Sequence, residues 1–143
     1  MKQSNALSLI SQIRNKADKF IMQELSLNGI TGLAPSHGEI LAQLFSKEEL
    51  TMKDIAEKIR RSKPTVTVLI DKLVICGYVN KIKSDADSRV TFIRLTPAGL
   101  ALQPLLQSIS GKLNTRVYAG MSSADAVALE AILSRIERNL ERK

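Results

Sequence analysis

Apolar residues recur every three to four positions along most of this chain, and the pattern breaks only where Gly, Pro and hydroxyl residues gather. From residue 4 to 27 the series Leu7, Ile10, Ile13, Ala17, Phe20, Ile21 and Leu25 predicts one amphipathic helix. Asn28-Gly29-Ile30-Thr31-Gly32 interrupts it, Pro35 stands where a second helix begins, and Ile40, Leu41, Leu44 and Phe45 supply that helix's buried face. The connection from Ser46 to Leu50, with Lys47, Glu48 and Glu49, reads as a surface turn. Thr51 and Asp54 have the spacing of a capping box before a short helix that faces inward through Ile55, Ala56 and Ile59. After the turn Arg60-Arg61, Ser62 is a second N-cap, with Pro64 in the first turn, where its missing N–H costs nothing. Gly77 ends that helix. Tyr78-Val79 and Lys81-Ile82-Lys83 then read as a strand, Arg89 to Leu95 as its partner, and the turn formers Ser84 to Ser88 as the connection.

Thr96-Pro97 opens a long helix through Leu100, Leu105, Leu106, Ile109, Leu113 and Val117. Pro104 lies inside it and should kink or reset it near Ala101. Gly120 closes the run, Ser122 and Asp125 form another capping box, and Leu129, Ile132, Leu133, Ile136 and Leu140 are the stripe of a last helix. There are no internal repeats. The first helix and the last two carry more apolar surface than the short middle elements can cover, so this surface needs a partner.

The helix after Ser62 has two unlike sides. Steps of about 100° from Leu69 place Ser62, Val66, Leu69, Ile70, Leu73, Cys76 and Gly77 together as a core side. Opposite them lie Lys63, Pro64, Thr67, Val68 and Asp71, small and polar enough to let a large partner approach. A helix-turn-helix offers its second helix to a DNA major groove in this way, and the hairpin behind it would be a wing. The methyls of Thr67 and Val68 suit thymine methyls, the Thr67 hydroxyl a base edge or phosphate oxygen, and Lys63 a phosphate.

The run S-K-P-T-V-T-V-L-I-D-K-L, followed by G-Y-V, by D-x-R at Asp87 and Arg89, and by R-L-T-P-A-G from Arg94 to Gly99, resembles the MarR family of winged helix-turn-helix transcriptional regulators in order and spacing. The resemblance implies a mainly α fold with a small β-wing and one domain over 1–143. Residues 33–96 would be the DNA-binding winged helix-turn-helix, and 1–32 and 97–143 dimerisation helices. It also implies a homodimeric repressor on double-stranded DNA, reading a pseudo-palindromic operator with half-sites roughly 34–36 Å apart. A small aromatic or phenolic effector would act from a cleft between the dimerisation helices and the reader. Motif and geometry together put Arg60, Arg61, Ser62, Lys63, Pro64, Thr65, Thr67, Val68 and Lys72 of the helix-turn-helix against DNA, with Lys83, Ser88 and Arg89 of the wing. Asp87 is the residue that would orient Arg89 into an A·T-rich minor groove. Val68 departs from the family, many of whose members carry a basic residue there, and this bears on the operator sequence rather than the fold.

Composition adds a location for charge. Of a net +7 over 143 residues, an excess of +5 falls between residues 51 and 96, which hold ten basic and five acidic side chains. A polyanion-binding surface needs such a field, and the plainer alternative is a solvated basic face. A winged helix that binds another protein's acidic surface is the competing function. Steep loss of affinity with salt on duplex DNA separates the two. The apolar run Ala6 to Ile10 is too short for a signal peptide and is followed by Gln12 and Arg14; no stretch approaches membrane-spanning length, and one cysteine suits a reducing compartment, so a cytoplasmic protein is expected.

Catalysis finds little support, because one histidine, one cysteine and no Gly-rich phosphate loop make no enzyme site; no metal or cofactor is expected. His37 reads as a surface or interhelical hydrogen-bonding residue, or else as a contact in an effector pocket. Cys76 reads as a small buried hydrophobe, or else as a redox sensor. Peroxide-sensing MarR relatives carry their reactive cysteine near the N-terminus, where this chain has none. Tyr78 should pack at the base of the wing, and Tyr118 could lie in the dimer region.

Overall fold

The computed structural model describes residues 5–47 and 49–141. Its elements run α1 (Ala6–Leu27), α2 (Pro35–Lys47), β1 (Glu49–Thr51), α3 (Met52–Ile59), α4 (Lys63–Ile75), β2 (Val79–Lys83), β3 (Thr91–Leu95), α5 (Pro97–Leu100), α6 (Gln103–Val117) and α7 (Ser123–Leu140). Residue 4, the expected start of the first helix, and Glu48 lie outside the described residues. The fold is mainly α with a small antiparallel sheet.

Local chemistry sets most of the helix starts. Thr51 Oγ1 accepts from Asp54 N at 3.0 Å and the Asp54 carboxylate accepts from Thr51 N, so the expected capping box satisfies two orphan donors at the start of α3. Ser62 Oγ accepts from Thr65 N at 3.3 Å with Pro64 in the first turn of α4, and Ser122 with Asp125 caps α7 as a second box. Pro104 resets the chain: α5 ends at Leu100 and α6 begins at Gln103, with the proline in its first turn, where no backbone donor is lost.

Ile40, Leu41 and Leu44 of α2, Ile55 of α3, Val66, Ile70 and Leu73 of α4, Val79 of β2 and Ile93 of β3 are fully buried and form one cluster. The chain divides after Ser110 into two units, and this cluster lies within the first. Within the second, residues 111–143, no side chain of α7 is buried. Within the first, α1 buries only Leu25, and Leu7 and Ile13 stay 67% and 60% exposed.

Two expectations fail for identifiable reasons. The segment after Ser46 is not a turn throughout, because Glu49–Thr51 is a strand in a sheet of order β1-β3-β2. Leu50 sits opposite Ile93 and turns inward, while Arg94 reaches Glu49 at 2.6 Å on the outer side. Three residues are too few to show alternation, and the flanking charges concealed the one apolar position. Cys76 is exposed rather than buried. It is the C-cap of α4, one turn beyond the buried residues Val66, Ile70 and Leu73.

The hairpin is also shorter than expected on its second side. β3 begins at Thr91, and Arg89 and Val90 belong to the connection, which closes with Ser84 N donating to the Val90 carbonyl and Val90 N to the Asp87 carbonyl. Behind it, α4 ends in a Schellman turn: Tyr78 N donates to Leu73 O and Gly77 N to Val74 O, with Gly77 at φ +82°. Thr96 binds this turn to the next helix. Its N–H donates to Tyr78 O at 3.0 Å, its hydroxyl donates to Gly77 O at 2.6 Å and accepts from Gly99 N at 3.1 Å. Gly99 is required here, since a Cβ on it would lie 2.1 Å from Tyr78 O.

Candidate nucleic-acid interface

The two-helix unit turns on Arg60, which takes the left-handed conformation (φ 56°) at the C-cap of α3; Arg60 and Arg61 are both exposed at that corner. The first turn of α4 is then pinned, with Ser62 Oγ donating to Thr65 Oγ1 at 2.9 Å. Lys63, Pro64, Thr67 and Val68 are exposed along the outer side of α4, Val68 at 69%. Thr67 differs from expectation in one respect. Its hydroxyl donates back to Lys63 O at 2.9 Å, so the hydrogen is already used, and Thr67 offers a partner its methyl and acceptor lone pairs.

In the wing, Asp87 Oδ1 accepts from Arg89 N at 3.0 Å and from Arg89 Nε at 3.1 Å, and Asp87 Oδ2 accepts from Arg89 Nη2 at 3.2 Å. Ser84 Oγ accepts from Ala86 N and Asp87 N, which fixes the tip from the other side. The Arg89 side-chain hydrogen bonds, followed by its backbone N–H, hold the Asp87 carboxyl below the usual carboxylate range. The acid therefore remains charged, the paired guanidinium offsets its repulsion of an anion, and that guanidinium is 89% exposed. Asp71, the only acid on α4, is paired with Lys81 of β2.

A cleft of about 430 Å³ opens between these pieces, lined by Thr51, Met52, Lys53, Lys63, Thr67, Arg89, Val90 and Thr91. It brings together three residues expected from sequence, Lys63, Thr67 and Arg89. Arg60, Arg61, Ser62, Pro64, Thr65, Val68, Lys83 and Ser88 are exposed but outside its lining. Lys72 points elsewhere: its ammonium lies 3.4 Å from where a Cβ on Gly32 would stand, at the α1–α2 connection. Sequence reasoning missed Thr51, Met52, Lys53, Val90 and Thr91 as lining residues, and Lys53 is the one cation among them. The signal was a basic residue at the second position of a capped helix, but without β1 nothing set that helix start beside the wing.

The remaining candidates are placed as follows. His37 is buried, and its Nδ1 accepts from Ala34 N at 2.8 Å, half a capping box for α2; burial pushes its pKa below the usual value, and Lys72 adds to this. Tyr78 packs against the core beside the sheet. Tyr118, in the second unit, donates its hydroxyl to Glu130 Oε2 at 3.2 Å, which raises its pKa. Among the described residues no three His, Cys, Asp or Glu side chains are grouped to hold a metal, and no helix is long and apolar enough to cross a membrane.

Known proteins share this arrangement. The family model described as the MarR family matches residues 33–91, from the end of the α1–α2 connection to the first residue of β3. An uncharacterized HTH-type transcriptional regulator of Bacillus subtilis, YdgJ, is 24% identical over 110 residues, which are 77% of this chain and 67% of that protein. The fold is that of the Staphylococcus aureus MepR–DNA complex, with a TM-score of 0.87 at 23% identity over 97% of this chain and 100% of that one. A mutant MarR from Escherichia coli complexed with operator DNA superposes with a TM-score of 0.78 at 21% identity, covering 90% and 91%.

Proposed function

We propose that this chain is a transcriptional regulator of the MarR family, a homodimeric repressor that grips a pseudo-palindromic duplex through α4 and the wing and is released by a small-molecule effector. The observation that carries the DNA-binding reading is the Asp87–Arg89 clamp, whose arginine lines one cleft together with Lys63 and Thr67. An exposed arginine held in place by its own acid is suited to a narrow minor groove, where negative potential is deepest. Lys63 sits one helical turn before Thr67, so a phosphate contact and a base-edge contact come from one face of α4. MepR and E. coli MarR have both been captured with DNA, which supports the same use of the shared fold.

Dimerisation is favoured by the apolar side chains left exposed on α1 and, separately, on α7, where Val127, Ile132 and Leu133 lack cover. An effector would act by binding one spacing of the two readers better than another. The test of DNA binding is the salt dependence of affinity for duplexes carrying the site. Arg89→Ala removes two phosphate-neutralising charges from a dimer, so the log–log salt slope should fall by about 1.8, and preference for A·T flanks should fade. Asp87→Ala should do part of the same damage by releasing the guanidinium. An unchanged slope in Arg89→Ala, or tighter binding in Asp87→Ala, would overturn the role given to the wing.

A further inference from the structure

We infer that the cleft between the start of α3 and the wing is a seat for a DNA backbone phosphate, and that Lys53 completes it. The inference rests on the DNA-binding reading above and extends it to a residue outside the recognition helix and the wing. Three of the eight lining residues are cations, Lys53, Lys63 and Arg89, and none is an acid. Lys53 is exposed and has no ion-pair partner among the described residues. Asp87 occupies Nε and Nη2 of Arg89, so of the five N–H donors of a guanidinium three remain for an incoming anion. Thr51 spends its hydroxyl oxygen as acceptor for Asp54 N, and the hydroxyl hydrogen is left to donate.

Cations from three separate segments around one concavity focus positive potential into it more strongly than the same charges spread over a convex face. The chemistry suits a phosphodiester better than a base edge. Two of the three cations are lysines, compact point charges without arginine's planar fork, and the third, Arg89, already has one edge of its fork taken by Asp87. The strand whose bases α4 reads would pass its backbone through this cleft on the way to the wing. Lys53 thereby ties the first helix of the pair to the duplex, and its contribution carries no sequence information.

The experiment measures affinity against salt for the full-length protein on a specific and a random duplex. The variants are Lys53→Ala and, as a control on the same helix, Lys58→Ala, which lies outside the cleft; thermal melts verify that both remain folded. Lys53→Ala should lower the slope by about 1.8 per dimer on both duplexes and weaken them by the same factor, while Lys58→Ala leaves the slope alone. A single methylphosphonate placed at the contacted phosphate should weaken the parent protein but not Lys53→Ala. A parent-like slope for Lys53→Ala, with Arg89→Ala still lowering it, overturns the inference and leaves the DNA-binding reading in place. If none of Lys53→Ala, Lys63→Ala and Arg89→Ala moves the slope, the DNA-binding reading itself fails. Competition by millimolar inorganic phosphate at constant ionic strength, lost in Lys53→Ala, would support the seat, because free phosphate would then take the place of the DNA phosphate.

Discussion

Replacing Gly99 with alanine tests whether the recognition helix, the wing and α5 are held as closely as the structure indicates. The new Cβ would stand 2.1 Å from Tyr78 O, 3.0 Å from Tyr78 C and 3.1 Å from Leu95 Cδ2. An ordinary carbon–oxygen contact is about 3.3 Å or longer, so backbone must shift by more than roughly 1 Å. The Tyr78 peptide has nowhere easy to go: its carbonyl accepts from Thr96 N, and its own N–H donates to Leu73 O in the turn that ends α4. Overpacking of this kind costs about 1–3 kcal/mol, and loss of the Thr96 hydrogen bond adds about 1 kcal/mol. A net loss of about 2–4 kcal/mol is therefore expected, or roughly 7–12 °C in Tm for a chain of this length. Gly38→Ala is the matched control, since a Cβ there meets nothing within 4 Å inside α2. The same added methyl should stabilise that helix by about 0.5–1 kcal/mol. Thermal melts of both variants at one protomer concentration decide the matter, because Tm depends on concentration in a self-associating protein. If Gly99→Ala melts within 2 °C or so of the parent, the proposed rigidity of the Tyr78 carbonyl is wrong.

Asp71→Asn removes the acid that occupies Lys81; if this pair lies near bound DNA, random duplex should be bound more tightly and with a steeper salt slope, at a stability change of about 0–1 kcal/mol, and filter binding that showed no gain on random DNA would count against a masking role. His37 is neutral by preference in the folded state, with a pKa below the 6.5 of the unfolded chain. Its contribution to stability is therefore complete above pH about 6.5 and is lost as pH falls from there through the folded pKa, where the unfolded chain binds more protons. His37→Gln can still accept from Ala34 N and should flatten that part of the stability–pH curve in denaturant titrations. An unaltered curve would mean that the histidine is not the group responsible.

Much of the architecture was legible because it is written in short-range chemistry. Thr51 with Asp54, Ser62 with Pro64, Thr96 with Pro97 and Ser122 with Asp125 each mark a helix start within four residues, and each is present. The Asp87–Arg89 clamp was legible for the same reason, its partners being two residues apart. What escaped depends on distant pairing. Nothing near Glu49 announces Arg94, 45 residues later, so β1 was missed, and with it the proximity of Lys53 to the wing. Cys76 shows a different failure, because angular position on a helix does not say where the covering layer ends. The Thr67 back-bond to Lys63 is a rotamer choice, and sequence carries no signal for it.

The three hydrogen bonds centred on Thr96 have a mechanical consequence. They fasten the end of α4, the start of β2 and the first turn of α5 to one residue, so these pieces share a single rigid-body motion. A torque applied to α5 would arrive at the recognition helix and the wing undivided, with the angle between groove-reading side chains unaltered. Control of such a reader by a ligand would therefore act on its pitch and separation relative to a second copy, while each half-site would still be recognised by the same lock. An operator whose half-sites were moved apart or together by a base pair would then change the response to a ligand while leaving half-site preference as it was.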